Sequence, residues 1–192
     1  MESLLVSTGV VALAEMGDKT QLLAFILAAR FKKPIPIILG IFAATIINHG
    51  LAGALGVWIT THINPEVLRW ILGFSFIAMA IWTLIPDKIE EEETQIAKTF
   101  GIFGATFITF FLAEMGDKTQ IATIAMAAHY SSAILVVIGT TLGMLIADVP
   151  AVFLGDKFAA KISMKWVHGI AAAIFVLLGV ATLFGAGSSL GF

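Results

Sequence analysis

Apolar residues run almost unbroken along this 192-residue chain, and polar residues gather at a few short breaks. Three stretches contain no Asp, Glu, Lys or Arg at all, namely 34–61, 119–147 and 166–192. Each is longer than the ~20 apolar residues that a helix needs to cross the hydrocarbon core of a bilayer. The pattern therefore predicts an all-α integral membrane protein.

The breaks divide the chain into six predicted transmembrane helices. Pro34 and Pro36 suit the first turn of a helix, and Asn64 followed by Pro65 is a favoured N-cap and first helical residue. The long polar segment 87–98, DKIEEEETQIAK, is interpreted as a solvated linker, with a regulatory cation-sensing loop as the alternative. The predicted spans are 4–30, 35–60, 66–85, 99–128, 133–155 and 165–186.

Composition and charge exclude several classes of protein. Charged residues make up 12% of the chain, about half the usual share of a soluble domain. The net charge is −2 without a basic patch, which argues against nucleic acid as a partner. The chain has no cysteine, so disulfides, thiol nucleophiles and thiolate metal sites are excluded.

Lysine and arginine predict the orientation in the membrane. Eight of them lie in the loops after the first, third and fifth spans, whereas the opposite side holds only Arg69. Because positive charge is retained on the cytoplasmic side, we expect those three loops inside and both termini outside the inner (plasma) membrane. The eight residues are Arg30, Lys32, Lys33, Lys88, Lys98, Lys157, Lys161 and Lys165.

The most informative feature is a perfect repeat of eight residues. Residues 14–21 read AEMGDKTQ, and residues 113–120 read the same. We therefore predict two homologous three-helix halves, 1–86 and 99–192, joined by the linker 87–98. Since three is an odd number, the second half enters the membrane from the opposite side. Such inverted-topology repeats are typical of secondary transporters.

The alignment of the halves extends beyond the octamer. An offset of 99 residues also aligns Gly40 with Gly139, and an offset of 96 aligns Gly73 with Gly169. The repeat therefore covers all three helices of each half.

Four carboxylates in the octamers are the candidate metal ligands. Glu15 and Asp18, three residues apart, are predicted to share one face of a helix, as are Glu114 and Asp117. A charge deep in a bilayer costs about 2.5–3.5 kcal/mol, so these residues need compensation. If the two faces meet, four carboxylates converge, and such a site suits a hard divalent cation such as Mg²⁺, Ca²⁺ or Mn²⁺.

Neutral residues of the octamers have two predicted uses. Gly17 and Gly116 lack side chains and permit either a close backbone approach or local unwinding that frees carbonyl ligands. Supporting oxygen ligands are available from the hydroxyl and amide side chains, which are Thr20, Gln21, Thr119 and Gln120.

The octamer lysines leave two interpretations open. Lys19 and Lys118 either compensate the charge of the site or extend towards an interface. In the first case four carboxylates and two lysines leave a charge of −2, which one divalent cation or two protons would neutralise. Metal and protons would then exchange by alternating access. The alternative is that each motif is a structural ion pair between helices, with Lys19 neutralising Glu15.

The second helix of each half carries further polar residues. Asn48 and Asp148 are supporting candidates, and Asp148 occupies the position equivalent to His49. Pro150 lacks an N–H and therefore frees the carbonyl of Ile146. Asp148 is a fifth acidic group, a proton relay, a partner for His49, or a hydrogen-bonded helix contact. An interior histidine such as His49 is more often a satisfied structural residue. No role is predicted for His62, His129 or His168.

The two copies of Glu-x-Gly-Asp-Lys-Thr, at 15–20 and 114–119, resemble the Gdt family of membrane cation/proton exchangers. This family includes bacterial manganese exporters and Golgi and chloroplast manganese/calcium transporters. The resemblance covers essentially the whole chain and points to a compact prokaryotic member. It implies that the acidic residues of both copies bind the cation and that Thr20 and Thr119 assist. It also implies antiport of Mn²⁺, with Ca²⁺ as second candidate, against protons, and export of Mn²⁺ from the cytoplasm.

Two other classes compete with the exchanger. A passive divalent-cation channel would need the acidic residues as a pore ring, whereas their clustering within each half favours an occluded site. An intramembrane enzyme would need an acid and a base in different environments, which symmetric duplication does not provide. We therefore expect a non-enzymatic transporter, without a cofactor, that acts as a monomer or homodimer on divalent cations and protons in a lipid bilayer.

Overall fold

The computed structural model describes residues 1–85, 97–154 and 164–184, and within these ranges the chain forms helices and no strand. The all-α prediction is confirmed. The predicted linker falls almost entirely on residues 86–96, which lie outside the described residues. The eight helices of the described residues are α1 (Glu2–Glu15), α2 (Lys19–Phe31), α3 (Pro34–His62), α4 (Pro65–Thr83), α5 (Ala97–Glu114), α6 (Lys118–His129), α7 (Ala133–Leu154) and α8 (Met164–Leu183).

Helix length and hydropathy support a membrane protein. Among the described residues α3, α4 and α7 are long and apolar enough to cross a bilayer. The α5–α6 pair also qualifies as one span, bent by 69° at its break. Helices α1 and α2 have 14 and 13 residues, and each is shorter than the ~20 residues of a full span.

The prediction of one unbroken helix over 4–30, and of another over 99–128, is wrong. Both segments are interrupted inside the repeated octamer, at Gly17 (φ 81°) and Gly116 (φ 75°). These backbone angles are in the left-handed region, which glycine adopts at little cost. The helices are therefore locally unwound at both glycines, as one of the two predicted uses requires, and the release of carbonyl ligands stays a prediction.

The predicted helix starts are confirmed at the other breaks. Helix α3 begins at Pro34, and α4 begins at Pro65 behind Asn64. The side chain of Asn64 accepts a hydrogen bond from the backbone N–H of Glu66 at 2.9 Å. Proline serves here because the first N–H groups of a helix have no partner within the helix.

The sequence repeat reappears in the packing of the helices. Gly40 in α3 lies against α5, where an added Cβ would be 3.0 Å from the carbonyl oxygen of Phe103. Gly139 in α7 lies against α1, where an added Cβ would be 2.7 Å from the carbonyl oxygen of Leu4. Phe103 and Leu4 are themselves equivalent at the offset of 99 residues. The second helix of each half thus packs on the first helix of the other half.

Two apolar clusters form the core and place the breaks between them. One cluster joins α1, α4, α6, α7 and α8 around Phe76, Met126 and Phe175. The other joins α2, α3, α5 and α7 around Leu27 and Phe110. Each interrupted segment contributes one helix to each cluster, so both octamers lie at the junction of the two clusters.

Candidate cation-binding site

Each break ends one helix and starts the next with an aspartate. Asp18 is the N-cap of α2, and its Oδ1 accepts the backbone N–H of Lys19 at 2.7 Å. Asp117 is the N-cap of α6, and its Oδ1 accepts the backbone N–H of Lys118 at 2.6 Å. A negative charge at a helix N-terminus is also favoured by the helix dipole. The octamer therefore builds the same capped break twice.

This geometry corrects the predicted arrangement of the carboxylates. Glu15 is the last residue of α1, while Asp18 lies outside α1 and caps α2. Glu114 and Asp117 repeat this relationship at the end of α5 and the start of α6. The prediction that each pair shares one helix face is wrong, because it assumed a continuous helix through the octamer.

The two glutamates are buried and only half satisfied. Glu15 and Glu114 are both 0% exposed. The Oε2 of Glu15 accepts a hydrogen bond from Thr20 Oγ1 at 2.5 Å, and the Oε2 of Glu114 accepts one from Thr119 Oγ1 at 2.8 Å. The Oε1 of either glutamate receives no hydrogen bond from the described residues. Each carboxylate is thus oriented through one oxygen and has the other available to a ligand.

The aspartates pair with lysines across the two halves. Lys118 Nζ lies 2.7 Å from Asp18 Oδ2, and Lys19 Nζ lies 3.2 Å from Asp117 Oδ2. Both lysines therefore compensate the charge of octamer aspartates rather than extend towards an interface. The ion pairs between helices that the structural alternative predicted are present, but Lys19 pairs with Asp117 and not with Glu15. The two octamers are in direct contact through this reciprocal exchange of partners.

Gln21 ties the first break to the other half of the chain. Its Oε1 accepts the backbone N–H of Gly17 at 2.9 Å, and its Nε2 donates to the carbonyl oxygen of Ala147 in α7 at 2.8 Å. Ala147 lies in the turn of α7 that precedes Pro150. The carbonyl that Gln21 contacts is therefore adjacent to that of Ile146, which the proline is predicted to free. The amide oxygen is thus engaged by the backbone of its own break.

Gln120 ties the second break to α3 of the first half in the equivalent way. Its Oε1 accepts the backbone N–H of Gly116 at 2.7 Å, and its Nε2 donates to Asn48 Oδ1 in α3 at 3.2 Å. Asn48 in turn donates from Nδ2 to the carbonyl oxygen of Phe111 at 3.0 Å. Asn48 therefore links the second break to α5.

Asp148 and His49 are buried without a hydrogen-bond partner in the described part of the chain. Both are 0% exposed, and neither the carboxylate oxygens of Asp148 nor the ring nitrogens of His49 make a hydrogen bond there. The expectation of a satisfied interior histidine is wrong, and the two residues are not hydrogen-bonded to each other. The carboxylate of Asp148 instead experiences electrostatic repulsion from the carboxylates of Asp18, Glu15 and Glu114.

The buried charges form one cluster, but the carboxylates do not converge on a single point. Glu15 lies within electrostatic range of Glu114. Across residues 1–85, 97–154 and 164–184, no three His, Asp or Glu side chains are grouped closely enough to hold a metal ion. The expected convergence of four carboxylates is therefore not seen among these residues, and Asp18 and Asp117 each face a lysine instead.

One residue at the site was not predicted from the sequence. His168 in α8 donates from Nε2 to the carbonyl oxygen of Met16, the residue before Gly17, at 2.6 Å. The only sequence signal was the alignment of the third helices, which places His168 where the first half has Leu72. That alignment does not indicate which neighbour the imidazole contacts.

Comparison with known proteins identifies the family. The model of the family "Divalent cation/proton antiporter GDT1" matches residues 3–91 and 102–189. The chain belongs to the GDT1 family. The resemblance inferred from the two octamers is thereby confirmed, and the family is one of antiporters rather than of enzymes.

Several GDT1 relatives match over most of their length. A Vibrio cholerae protein named "Putative manganese exporter" is 50% identical over 96% of this chain and 92% of its own. The GDT1-like protein sll0615 of Synechocystis is 32% identical over 90% of this chain and 92% of its own. The GDT1-like protein 3 of Oryza sativa subsp. japonica is 30% identical over 95% of this chain and 74% of its own. No solved structure matches the chain significantly.

Proposed function

We propose that this protein exchanges a divalent cation for protons by alternating access and exports Mn²⁺ from the cytoplasm, with Ca²⁺ as the second candidate substrate. The observation that carries the proposal is the reciprocal pairing of Asp18 with Lys118 and of Asp117 with Lys19. Membership of an antiporter family and the name of the Vibrio cholerae relative support the choice of substrate.

The proposed architecture is that of two inverted three-helix halves, 1–86 and 99–192, with six spans in the inner membrane. The interrupted segments α1–α2 and α5–α6 serve as the first span of each half, and the other four helices supply the rest. The matched packing of Gly40 and Gly139 supports this arrangement. The lysine bias supports cytoplasmic loops after the first, third and fifth spans, with both termini outside.

The proposed cation ligands are Glu15, Asp18, Glu114 and Asp117. The free Oε1 atoms of the buried glutamates support this assignment, since carboxylate oxygens are the ligands that Mn²⁺ and Ca²⁺ accept. The cycle needs no cofactor because the metal is the cargo. Supporting roles are proposed for Thr20, Gln21, Thr119, Gln120, Asn48 and Asp148.

Charge balance explains how metal and protons exchange. A buried uncompensated charge is costly, so the site must stay close to neutral in every state of the cycle. The lysine ammonium groups of Lys19 and Lys118 supply part of that compensation in this structure. An incoming divalent cation takes over their role at the aspartates, and protons take over when the metal leaves. The two cargoes therefore alternate at one set of carboxylates.

The channel alternative is less well supported. A ring of acidic residues that selects ions in a pore lines an open path through the membrane. Glu15 and Glu114 are instead fully buried by helices from both halves. Burial of this kind fits an occluded site that opens to one side at a time.

The proposal is tested in liposomes that hold the purified protein and a pH-sensitive dye. Addition of Mn²⁺ outside is expected to drive protons out of the vesicles, and the response to Ca²⁺ then ranks the two ions. The matched control is Glu2→Gln, since Glu2 is exposed and lies at the opposite end of α1 from the first octamer. Metal uptake without proton movement would replace the exchanger by the channel. Absence of metal movement in protein that is folded and inserted would overturn both.

A further inference from the structure

The two breaks are identical in sequence but differ in exposure. At the second break Met115 is 56% exposed and Gly116 is exposed. At the first break the equivalent residues Met16 and Gly17 are only partly exposed. The octamer sequence cannot cause this difference, so it arises from the helices that surround each copy.

The two ion pairs differ in the same sense. Lys118 is 1% exposed and lies 2.7 Å from Asp18, whereas Lys19 is 30% exposed and lies 3.2 Å from Asp117. Asp117 directly follows Gly116, so the partly exposed Lys19 lies next to the exposed break. Of the two ammonium groups that hold the aspartates, Lys19 is the one within reach from outside the helix bundle.

The first break has a hydrogen bond from His168 that the equivalent residue of α4, Leu72, cannot make at the second break. His168 in α8 donates a hydrogen bond to the carbonyl oxygen of Met16 at 2.6 Å. Met16 is the C-cap of α1. Carbonyl groups at the C-terminal end of a helix have no hydrogen-bond partner within the helix. The equivalent of His168 in α4 is Leu72, which is buried in the apolar cluster with Phe76 and has no hydrogen-bond donor in its side chain.

We propose that the transported cation reaches the site beside the second break, past Met115 and Lys19, and that His168 is a positioning residue that closes the corresponding opening at the first break. The proposal rests on the proposed function for the identity of the ion. Its physical basis is that outward movement of the partly exposed Lys19 uncovers Asp117. The same movement of Lys118 is blocked by burial.

Cysteine labelling tests the route directly, because the chain has no native cysteine. Met115→Cys and Met16→Cys are matched variants, since the two methionines occupy the same octamer position. A charged, water-soluble thiol reagent is expected to label Met115→Cys at least about tenfold faster than Met16→Cys in native membranes, because only a hydrated thiol forms the reactive thiolate. Added Mn²⁺ is expected to slow the labelling of Met115→Cys.

Two outcomes of this comparison would overturn the route. One is equal labelling of the two variants by the charged reagent. The other is labelling of Met115→Cys by lipid-soluble maleimides alone, which would mean that Met115 faces acyl chains rather than water.

The role of His168 is tested in the Met16→Cys background. His168→Leu installs the residue found at the equivalent position of α4 and is expected to raise the labelling of Met16→Cys to the level of Met115→Cys. His168→Gln retains an N–H donor and is expected to keep Met16→Cys protected. Continued protection in folded His168→Leu protein, or equal labelling with leucine and glutamine, would contradict the assignment.

These measurements separate the route from the proposed function. Labelling reports water access and does not require transport. If Met115→Cys is labelled selectively but liposomes show no metal-dependent proton flux, the aqueous opening is confirmed and the exchanger is rejected. If flux is present and labelling is equal, the exchanger is confirmed and the route is rejected.

Discussion

Lys118 of the second half lies 2.7 Å from Asp18 of the first half, and both side chains are almost completely buried. A buried ion pair is favourable only when both partners are present, because each isolated charge carries a large desolvation cost. The pair therefore couples the two halves of the repeat through their most costly residues. It also places a protein cation at an aspartate that is proposed to bind a metal cation.

Replacement of either octamer aspartate is expected to abolish transport. Asp18→Asn and Asp117→Asn each remove a proposed ligand and the partner of a lysine. Metal-dependent proton flux in liposomes is the measurement, with Glu2→Gln as the control that retains full flux. Full activity in both aspartate variants would exclude these residues from the site.

The loss of transport is separable from misfolding by a second replacement. Asp18→Asn removes the charge that neutralises buried Lys118. Breaking a buried ion pair in this way destabilises the folded protein by about 3–5 kcal/mol. Asp18→Asn combined with Lys118→Met removes both charges and is expected to recover thermal stability in detergent but not transport. Recovery of transport in the double variant would show that Asp18 serves only to neutralise Lys118.

The two lysines are expected to contribute unequally to stability. Lys118→Met removes the ammonium group that neutralises a fully buried aspartate and should cost about 3–5 kcal/mol. Lys19→Met removes a pair that is partly open to solvent and should cost about 1 kcal/mol. Thermal unfolding of the two variants in the same detergent compares identical positions of one motif. Equal losses would contradict the difference in burial.

The threonines are expected to set metal affinity through the glutamates. Thr20→Val and Thr119→Val remove the hydroxyl that orients one carboxylate oxygen of Glu15 or Glu114. A hydrogen bond to a charged group contributes about 1.5–3 kcal/mol, so the KM for Mn²⁺ should rise at least about tenfold. Thr→Ser at the same positions retains the hydroxyl and should restore the KM. Valine variants with an unchanged KM would remove the threonines from the site.

The Gln120–Asn48 contact is expected to be energetically coupled. Gln120→Leu and Asn48→Leu each break the 3.2 Å hydrogen bond between the halves. The double variant should lose less stability than the sum of the two, with a coupling free energy of about 0.5–1.5 kcal/mol. Thermal unfolding of the four proteins of the cycle is the measurement. Additive losses would show that this contact contributes nothing to the association of the halves.

Acidic pH is expected to weaken metal binding. The proposed ligands bind a cation only when they are deprotonated, so protons and Mn²⁺ compete for the same carboxylates. The KM for Mn²⁺ should rise as the pH falls, by up to about tenfold per pH unit for each proton displaced. Initial rates of Mn²⁺ uptake across a pH series, without a pH gradient, provide the measurement. A KM that does not change with pH would argue against shared ligands.

Much of the fold is determined by local sequence. Bilayer-length apolar runs predict the helices, and Pro34, Asn64 and Pro65 start them where the sequence indicates. The octamer also determines its own break, because a left-handed glycine and an aspartate N-cap involve contacts within a few residues. The error at 4–30 and 99–128 came from giving apolar length more weight than the glycine.

Only the tertiary structure decided which partner each charged and polar group has. The sequence placed Lys19 four residues after Glu15, yet the lysine pairs with Asp117 of the other half. His168 carried no signal of its contact with Met16, and the identical octamers gave no reason to expect different exposure. The physical reason is that caps and backbone angles are set by neighbours along the chain. Ion pairs and burial depend instead on how the two octamers, nearly a hundred residues apart in the chain, pack together.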